Sequence, residues 1–151
     1  MITRFAPAHR QQVIALLAMQ KELAPFYKDY DLDISKIETY YDYCARSPDA
    51  VGYVALQGMR VVGVIAGYVA PMIFSTNLYA HDFVFLVAPG TQGSGKIAKQ
   101  LVQAYVGWAK ERGATSINIG VTLSGCSKGA STLLKHLGFK CVVHTYELGD
   151  V

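Results

Sequence analysis

Apolar positions along this chain switch between two spacings, and the switches mark its elements. In the first 46 residues they recur every three or four positions. Val13, Leu16, Leu17 and Leu23 share one face of a segment from about Ala8 to Ala24, and Ile37, Tyr40, Tyr41 and Cys44 do the same between Ser35 and Arg46, so both segments read as helices. Ser47-Pro48 closes the second, because the residue before a proline is pushed out of the helical region. A short strand, ITRFA (2–6), precedes the first helix, and FYKDYDLD (26–33) is a polar, tyrosine-rich connection between the two.

From Val51 onward the pattern becomes β-rich. VGYVALQ (51–57) and RVVGVIAGYVA (60–70) flank a short turn at Gly58, which predicts a hairpin, and DFVFLVA (82–88) is apolar almost throughout, as a central strand covered on both faces must be. Helical spacing returns over 96–112. There Ile97, Leu101, Val102, Tyr105, Trp108 and Ala109 lie on one side, Lys96, Lys99, Lys110, Glu111 and Arg112 lie elsewhere, and Gly113 is placed to cap the end. TSINIGV (115–121) reads as a strand. A last helix carries Ala130, Leu133, Leu134 and Leu137 and stops at Gly138, before a final strand CVVHTYEL (141–148).

Composition narrows the class. A chain of 151 residues, 52% apolar and 17% charged, has the size and balance of one folded domain spanning 1–151. Its net charge of +3 comes from Lys and Arg spread along the chain, so no dense phosphate-neutralising patch points to nucleic acid. Cys44, Cys126 and Cys141 are an odd set without C-x-x-C or metal-ligand spacing, which predicts free thiols in a reducing cytoplasm and no metal. MITRFAPAHR has no apolar h-region of a signal peptide. The run 61–74 is too short for a membrane span and is broken by Gly63, Gly67 and Pro71, so it reads as a buried strand.

The stretch GTQGSGKI (90–97) is the chemically suggestive one. Gly90, Gly95 and Lys96 meet the first seven positions of a nucleotide-triphosphate loop, but Ile97 stands where that loop needs a hydroxyl for Mg²⁺. No downstream apolar strand ends in a metal-holding carboxylate either, since 117–121 is followed by Thr122 and Leu123. What remains is a strand, a glycine loop and a helix. Together they direct backbone N–H groups and the positive end of a helix dipole at one spot, with Gly93 and Gly95 permitting close approach, and so predict an anion site.

Three ordered stretches resemble the GNAT superfamily of acyl-CoA-dependent N-acyltransferases. VAPGTQGSG (87–95) is similar to V-x-P-x-x-[RQ]-G-x-G through Val87, Pro89, Gln92, Gly93 and Gly95. WAKERGATSINIGV (108–121) is similar to that family's helix-to-strand passage, and ASTLLKHLGF (130–139) to its A-x-x-L-Y-x-x-x-G-F. The resemblance implies an α/β (α+β) fold: a mixed, mostly antiparallel twisted sheet of six to seven strands with splayed central strands, flanked by about four helices. It implies acetyl-CoA as co-substrate, its pyrophosphate on the loop residues Gln92, Gly93, Ser94, Gly95, Lys96, Ile97 and Ala98, and its pantetheine arm along Leu86 and Val87. Lys96, Lys99 and Lys128 either face the phosphates or form solvated helix faces. Ile97 stands where that family has Gly or Ala, so the loop register is open. Leu134 replaces the tyrosine that in many members protonates the departing thiolate.

The implied reaction is acetyl transfer to a primary amine, on a protein or on a small cationic molecule, by direct attack in a ternary complex. The alternative is a weak or inactive GNAT-fold module that binds CoA and acts through protein contacts. Asp82 is the candidate base, against the plainer role of a strand-end carboxylate closing a turn, and His81 beside it would point to the opposite face of a regular strand. Cys126 and Ser127 are either structural or close to the CoA sulfur, and His136 and His144 read as structural. Asp29, Asp31 and Asp33 interleaved with tyrosines, together with Tyr40, Tyr41 and Tyr43, would suit a cationic acceptor or form a packing face. A homodimer stays open.

Overall fold

The β-rich runs pair as their alternation requires. The computed structural model describes residues 1–121, 127–143, 145, 146, 148 and 149. Its elements, in chain order, are β1 (Ile2–Arg4), α1 (Arg10–Leu23), α2 (Ile34–Arg46), β2 (Ala50–Gln57), β3 (Arg60–Pro71), β4 (Leu78–Val87), α3 (Ser94–Glu111), β5 (Ala114–Asn118) and α4 (Ser127–His136), with one 3-10 turn at Pro7–His9. The sheet follows the order β1-β2-β3-β4-β5. Its first three junctions are antiparallel and the last, β4 to β5, is parallel, with α3 as the crossover.

Five strands are therefore present among the described residues, instead of six to seven. The segment 141–148 is the source of the difference. Its described residues pair with no strand, and Val142, Val143, Tyr146 and Leu148 are exposed. β-Branched and aromatic composition signals fitness for a pleated surface, and does not by itself pair a segment with a sheet. At β4 the deviation runs the other way. The strand begins at Leu78, because Leu78 to Ala80 pair with Pro71 to Val69 across a turn closed by Met72 N–H to the Asn77 carbonyl at 3.2 Å.

The sheet separates two cores. On one side Val51, Ile65, Val69 and Ala80 meet Leu101, Val102, Tyr105 and Trp108 of α3 and Leu134 of α4. On the other, Val54, Val64 and Leu86 meet Val13 and Leu16 of α1 and Tyr41 of α2, while Cys44 packs on Ala50 and Ala66. Each large side chain buried here contributes roughly 1.5–3 kcal/mol. Burial pushes the Cys44 thiol up to about 12, so it is a packing residue and not a nucleophile. Asp33 caps α2, its carboxylate accepting from the Lys36 N–H at 3.2 Å.

Gly67 shows how closely α3 approaches. A Cβ there would stand 2.4 Å from the His81 carbonyl oxygen and 2.7 Å from the Tyr105 hydroxyl, so only glycine lets the helix and β4 close on β3 at this point.

Candidate functional site

The site begins where the parallel pair stops. β4 and β5 are in register only from Leu78 with Ala114 to His81 with Asn118, yet β4 continues to Val87. Among the described residues, Asp82 to Val87 therefore present a free backbone edge toward β5, a run of about 17–20 Å at the usual rise per residue. Asp82 stands at the point of divergence. Its Oδ1 accepts the Gly120 N–H at 2.8 Å, a bond that ties the two strands one residue beyond their last pair.

Strand parity sorts the neighbours. A register shift between Ala66 and Gly67 sets Asp82 opposite Gly67, on the α3 side, and leaves Phe83 as the extra residue of a bulge before Val84. His81 pairs with Tyr68 and turns to the α2 side, as alternation predicts. The displaced Phe83 ring then packs at 4.8 Å from Tyr68, 5.1 Å from Tyr40 and 6.3 Å from Tyr43, measured between centroids.

The Asp82 side chain is only 6% exposed, and burial pushes its carboxyl above the ordinary range. The Gly120 N–H, and then His81 with its Nδ1 3.6 Å from Asp82 Oδ1, hold it partly back. The Tyr27 phenol is raised by burial and by the charge of Asp82. That of Tyr68 is raised first by its hydrogen bond with Tyr79, then by burial.

Beyond Val87 the chain turns through the glycine loop. Gly90 and Gly93 adopt positive φ, 75° and 71°, and Gly93 caps α3. Because the cap forms there, α3 starts at Ser94, two residues before the apolar pattern predicts. The Ile97 N–H donates to the Gly93 carbonyl at 3.1 Å and the Ile97 side chain packs on the core, so Ile97 and Ala98 build the first turn. The amides of Ser94, Gly95 and Lys96 belong to the helix start, where no carbonyl of the preceding turn can accept from them. Ser94, Gly95, Lys96 and Lys99 are exposed. A Cβ on Gly93 or Gly95 would meet nothing within 4 Å, so an anion can reach this backbone unhindered. Gln57, at the end of β2, donates from Nε2 to the Gln92 carbonyl at 2.9 Å and fixes the loop.

On the α2 side a cavity of about 490 Å³ lies between α1, α2 and the sheet, lined largely by apolar and aromatic groups, including Leu17, Ile37, Tyr40 and Phe83, with Tyr27 and Asp31 among them. Leu134 is buried in the α3-side core. Leu86 faces the α1 side and Val87 the α3 side. Ser127 opens α4, while Cys126 and His144 lie outside the described residues. Two residues escaped the sequence reading. Tyr105 reads as core from its spacing alone, and Phe83 as one more apolar strand residue. A glycine at 67 inside an apolar strand was the available signal of close approach.

The Acetyltransferase (GNAT) family model matches residues 7–139, and the chain belongs to that family. No curated protein sequence matches it. Among solved structures it is similar to a probable acetyltransferase, with a TM-score of 0.75, 18% identity, and 100% of this chain and 99% of that one covered. It is also similar to an aminoglycoside acetyltransferase, meta-AAC0020 from an uncultured soil metagenomic sample, in complex with sisomicin (TM-score 0.71, 21% identity, 98% and 95% covered). A third is the ribosomal-protein-alanine N-acetyltransferase of Brucella melitensis biovar Abortus 2308 (TM-score 0.69, 17% identity, 98% of each chain covered). At these identities the similarity speaks for the fold, and the family match makes the chain an acetyltransferase.

Proposed function

We propose that this chain transfers the acetyl group of acetyl-CoA to a primary amine by direct attack, with Asp82 as the base. The observation that carries this reading is the free edge of β4. It runs from exposed helix-start amides at one end to a buried, proton-hungry carboxylate at the other. The co-substrate supplies an electrophilic thioester carbonyl and a thiolate that leaves. Gln92, Gly93, Ser94, Gly95 and Lys96 would hold its pyrophosphate, with Ile97 and Ala98 forming the turn beneath, Leu86 and Val87 beside the arm, and Ser127 near the opening of α4. Of the two protons an ammonium must lose, Asp82 takes the first, which frees the nitrogen lone pair, and the second ends on the departing sulfur. Leu134, an apolar core residue, donates neither.

The acceptor side favours an amine with an apolar body and a single positive charge. Asp33 is committed to capping α2, and Asp42 and Glu38 to Arg10, at 3.3 and 3.5 Å, which leaves Asp31 among largely apolar and aromatic walls that Lys21 and Lys36 also line. A polycation would find few unpaired carboxylates there. Cys44 and Cys141 are free thiols, in keeping with a cytoplasmic protein.

Calorimetric titration with acetyl-CoA, followed by thiol release over a panel of arylalkyl monoamines, polyamines, an aminoglycoside and amino-terminal peptides, tests the reading. Binding followed by thiol release, with the highest kcat/KM for apolar monoamines, is expected; binding without release from any amine overturns it. Gly95→Asp separates the loop from the fold. An aspartate in the first turn suits the helix dipole, so Tm holds or rises, while acetyl-CoA affinity drops tenfold or more (~1.4 kcal/mol) through repulsion of the pyrophosphate.

A further inference from the structure

The glycine loop is gripped from outside by a side chain that the chemistry of acetyl transfer does not call for. β2 delivers Gln57 to the α3 face of the sheet, two residues beyond Ala55, which packs in the α3-side core. From there its Nε2 donates to the Gln92 carbonyl at 2.9 Å. The hairpin that carries Gln57 is anchored in turn by Gln12 of α1, whose Nε2 donates to the Met59 carbonyl at 3.1 Å and whose Oε1 accepts the Val61 N–H at 2.9 Å. Gln57 and Gln92 are both exposed, so solvent could satisfy either group, and the bond serves orientation more than burial.

We propose that Gln57 is a positioning residue for the co-substrate: by holding the Gln92 carbonyl it turns the Gly93 N–H outward as a further donor to the pyrophosphate. This rests on the reading of the loop as the seat of that pyrophosphate. In a trans peptide the carbonyl and the next N–H point in opposite directions, and the described backbone contains no cis bond. A Gln92 carbonyl drawn to β2 therefore directs the Gly93 N–H away from the hairpin, and among the described residues no acceptor meets that N–H. The Gly93 carbonyl is committed to the Ile97 N–H at 3.1 Å, so both carbonyls that bracket the N–H are held. One donor is thereby added to the amides of Ser94, Gly95 and Lys96 at the start of α3.

Gly93 is what makes such a hold necessary. Its φ of 71° and ψ of 26° are close to those of the second central residue in a type II turn. Turning the preceding peptide over gives the type I geometry, with φ of about −90°, and glycine takes either sign with similar ease. The two arrangements exchange the directions of the Gln92 carbonyl and the Gly93 N–H. In the second, a carbonyl oxygen would face the phosphates, and repulsion would replace attraction. Gln57 selects the first arrangement before any ligand arrives, so binding does not have to reorganise the peptide.

Gln57→Met keeps the length of the side chain and removes its donor, and Tm should hold because both partners are exposed. In the ligand-free variant the N–H residual dipolar coupling of Gly93 is expected to change while those of α3 stay. The calorimetric Kd for acetyl-CoA should rise about fivefold, the worth of one ordinary hydrogen bond. The KM for acetyl-CoA should follow the Kd, with kcat little changed. Gly93→Ala gives a second line of test. Alanine disfavours the positive φ, so the peptide turns over whatever stands at 57, and adding Gln57→Met should cost little more affinity. An unmoved Gly93 coupling, an unchanged Kd, or full additivity of the two variants overturns the proposal. Failure of the unaltered protein to bind acetyl-CoA is a separate result that removes the co-substrate site itself, and the Gly93 coupling then still decides whether Gln57 sets the peptide.

Discussion

Asp82→Asn is expected to lower kcat/KM by a factor of about 10² to 10⁴, the range a positioned general base supplies. The pH dependence should change as well. With aspartate, activity falls as pH drops through the raised value of the buried carboxyl; with asparagine that limb disappears, and activity rises instead toward the pKa of the amine itself. Stability gives an independent check, and its sign is fixed by the direction of the shift. A carboxyl raised on folding binds more protons in the native than in the unfolded state, so it favours the fold below its unfolded value and loses that contribution as pH climbs through its folded value. Asparagine has no charge to desolvate and can still accept the Gly120 N–H. Thermal unfolding near neutral pH should therefore show Tm unchanged or higher. A drop of several degrees, with activity retained, would reduce Asp82 to a tie between strands.

Gly67→Ala is the structural counterpart and should be among the most damaging single methyl groups in the sheet. The added carbon meets a backbone oxygen, that of His81, at 2.4 Å, and a carbonyl in a strand ladder cannot rotate away as the end of a flexible side chain can. A loss of roughly 3 kcal/mol follows from overpacking of this kind. It corresponds to a fall in Tm of about 6–12 °C for a domain of this length, measured by calorimetry. Combining it with Tyr105→Phe should restore little, since the phenol oxygen at 2.7 Å is removed but the carbonyl remains. Near-complete rescue by the double variant would show that the helix, and not β4, sets the spacing.

The helices and the hairpin could be read from spacing because each buries a continuous stripe. Val13 and Leu16 on one side and Leu101, Tyr105 and Trp108 on the other are all core residues. The glycine loop was readable too, since a strand, two glycines and an amphipathic helix fix its place. The start of β4 was not. Leu78 to His81 mix polar and apolar residues, and they become strand only through register with β3. The apolar character of 142–143 misled for the same reason in reverse, as composition cannot show whether a segment pairs with the sheet. At the site, Asp82 could be picked out, but its partner Gly120 lies 38 residues away, and no local pattern connects them. The bulge that throws Phe83 onto the tyrosines is likewise a property of two strands, not of one.

The packing of Leu134 limits what can stand in its place. It fills the α3-side core, and its carbonyl accepts the Phe139 N–H at 2.9 Å as the chain leaves α4. A tyrosine at that place would bring a larger ring into filled volume and a hydroxyl needing a partner. Leu134→Tyr should thus lower Tm without raising turnover.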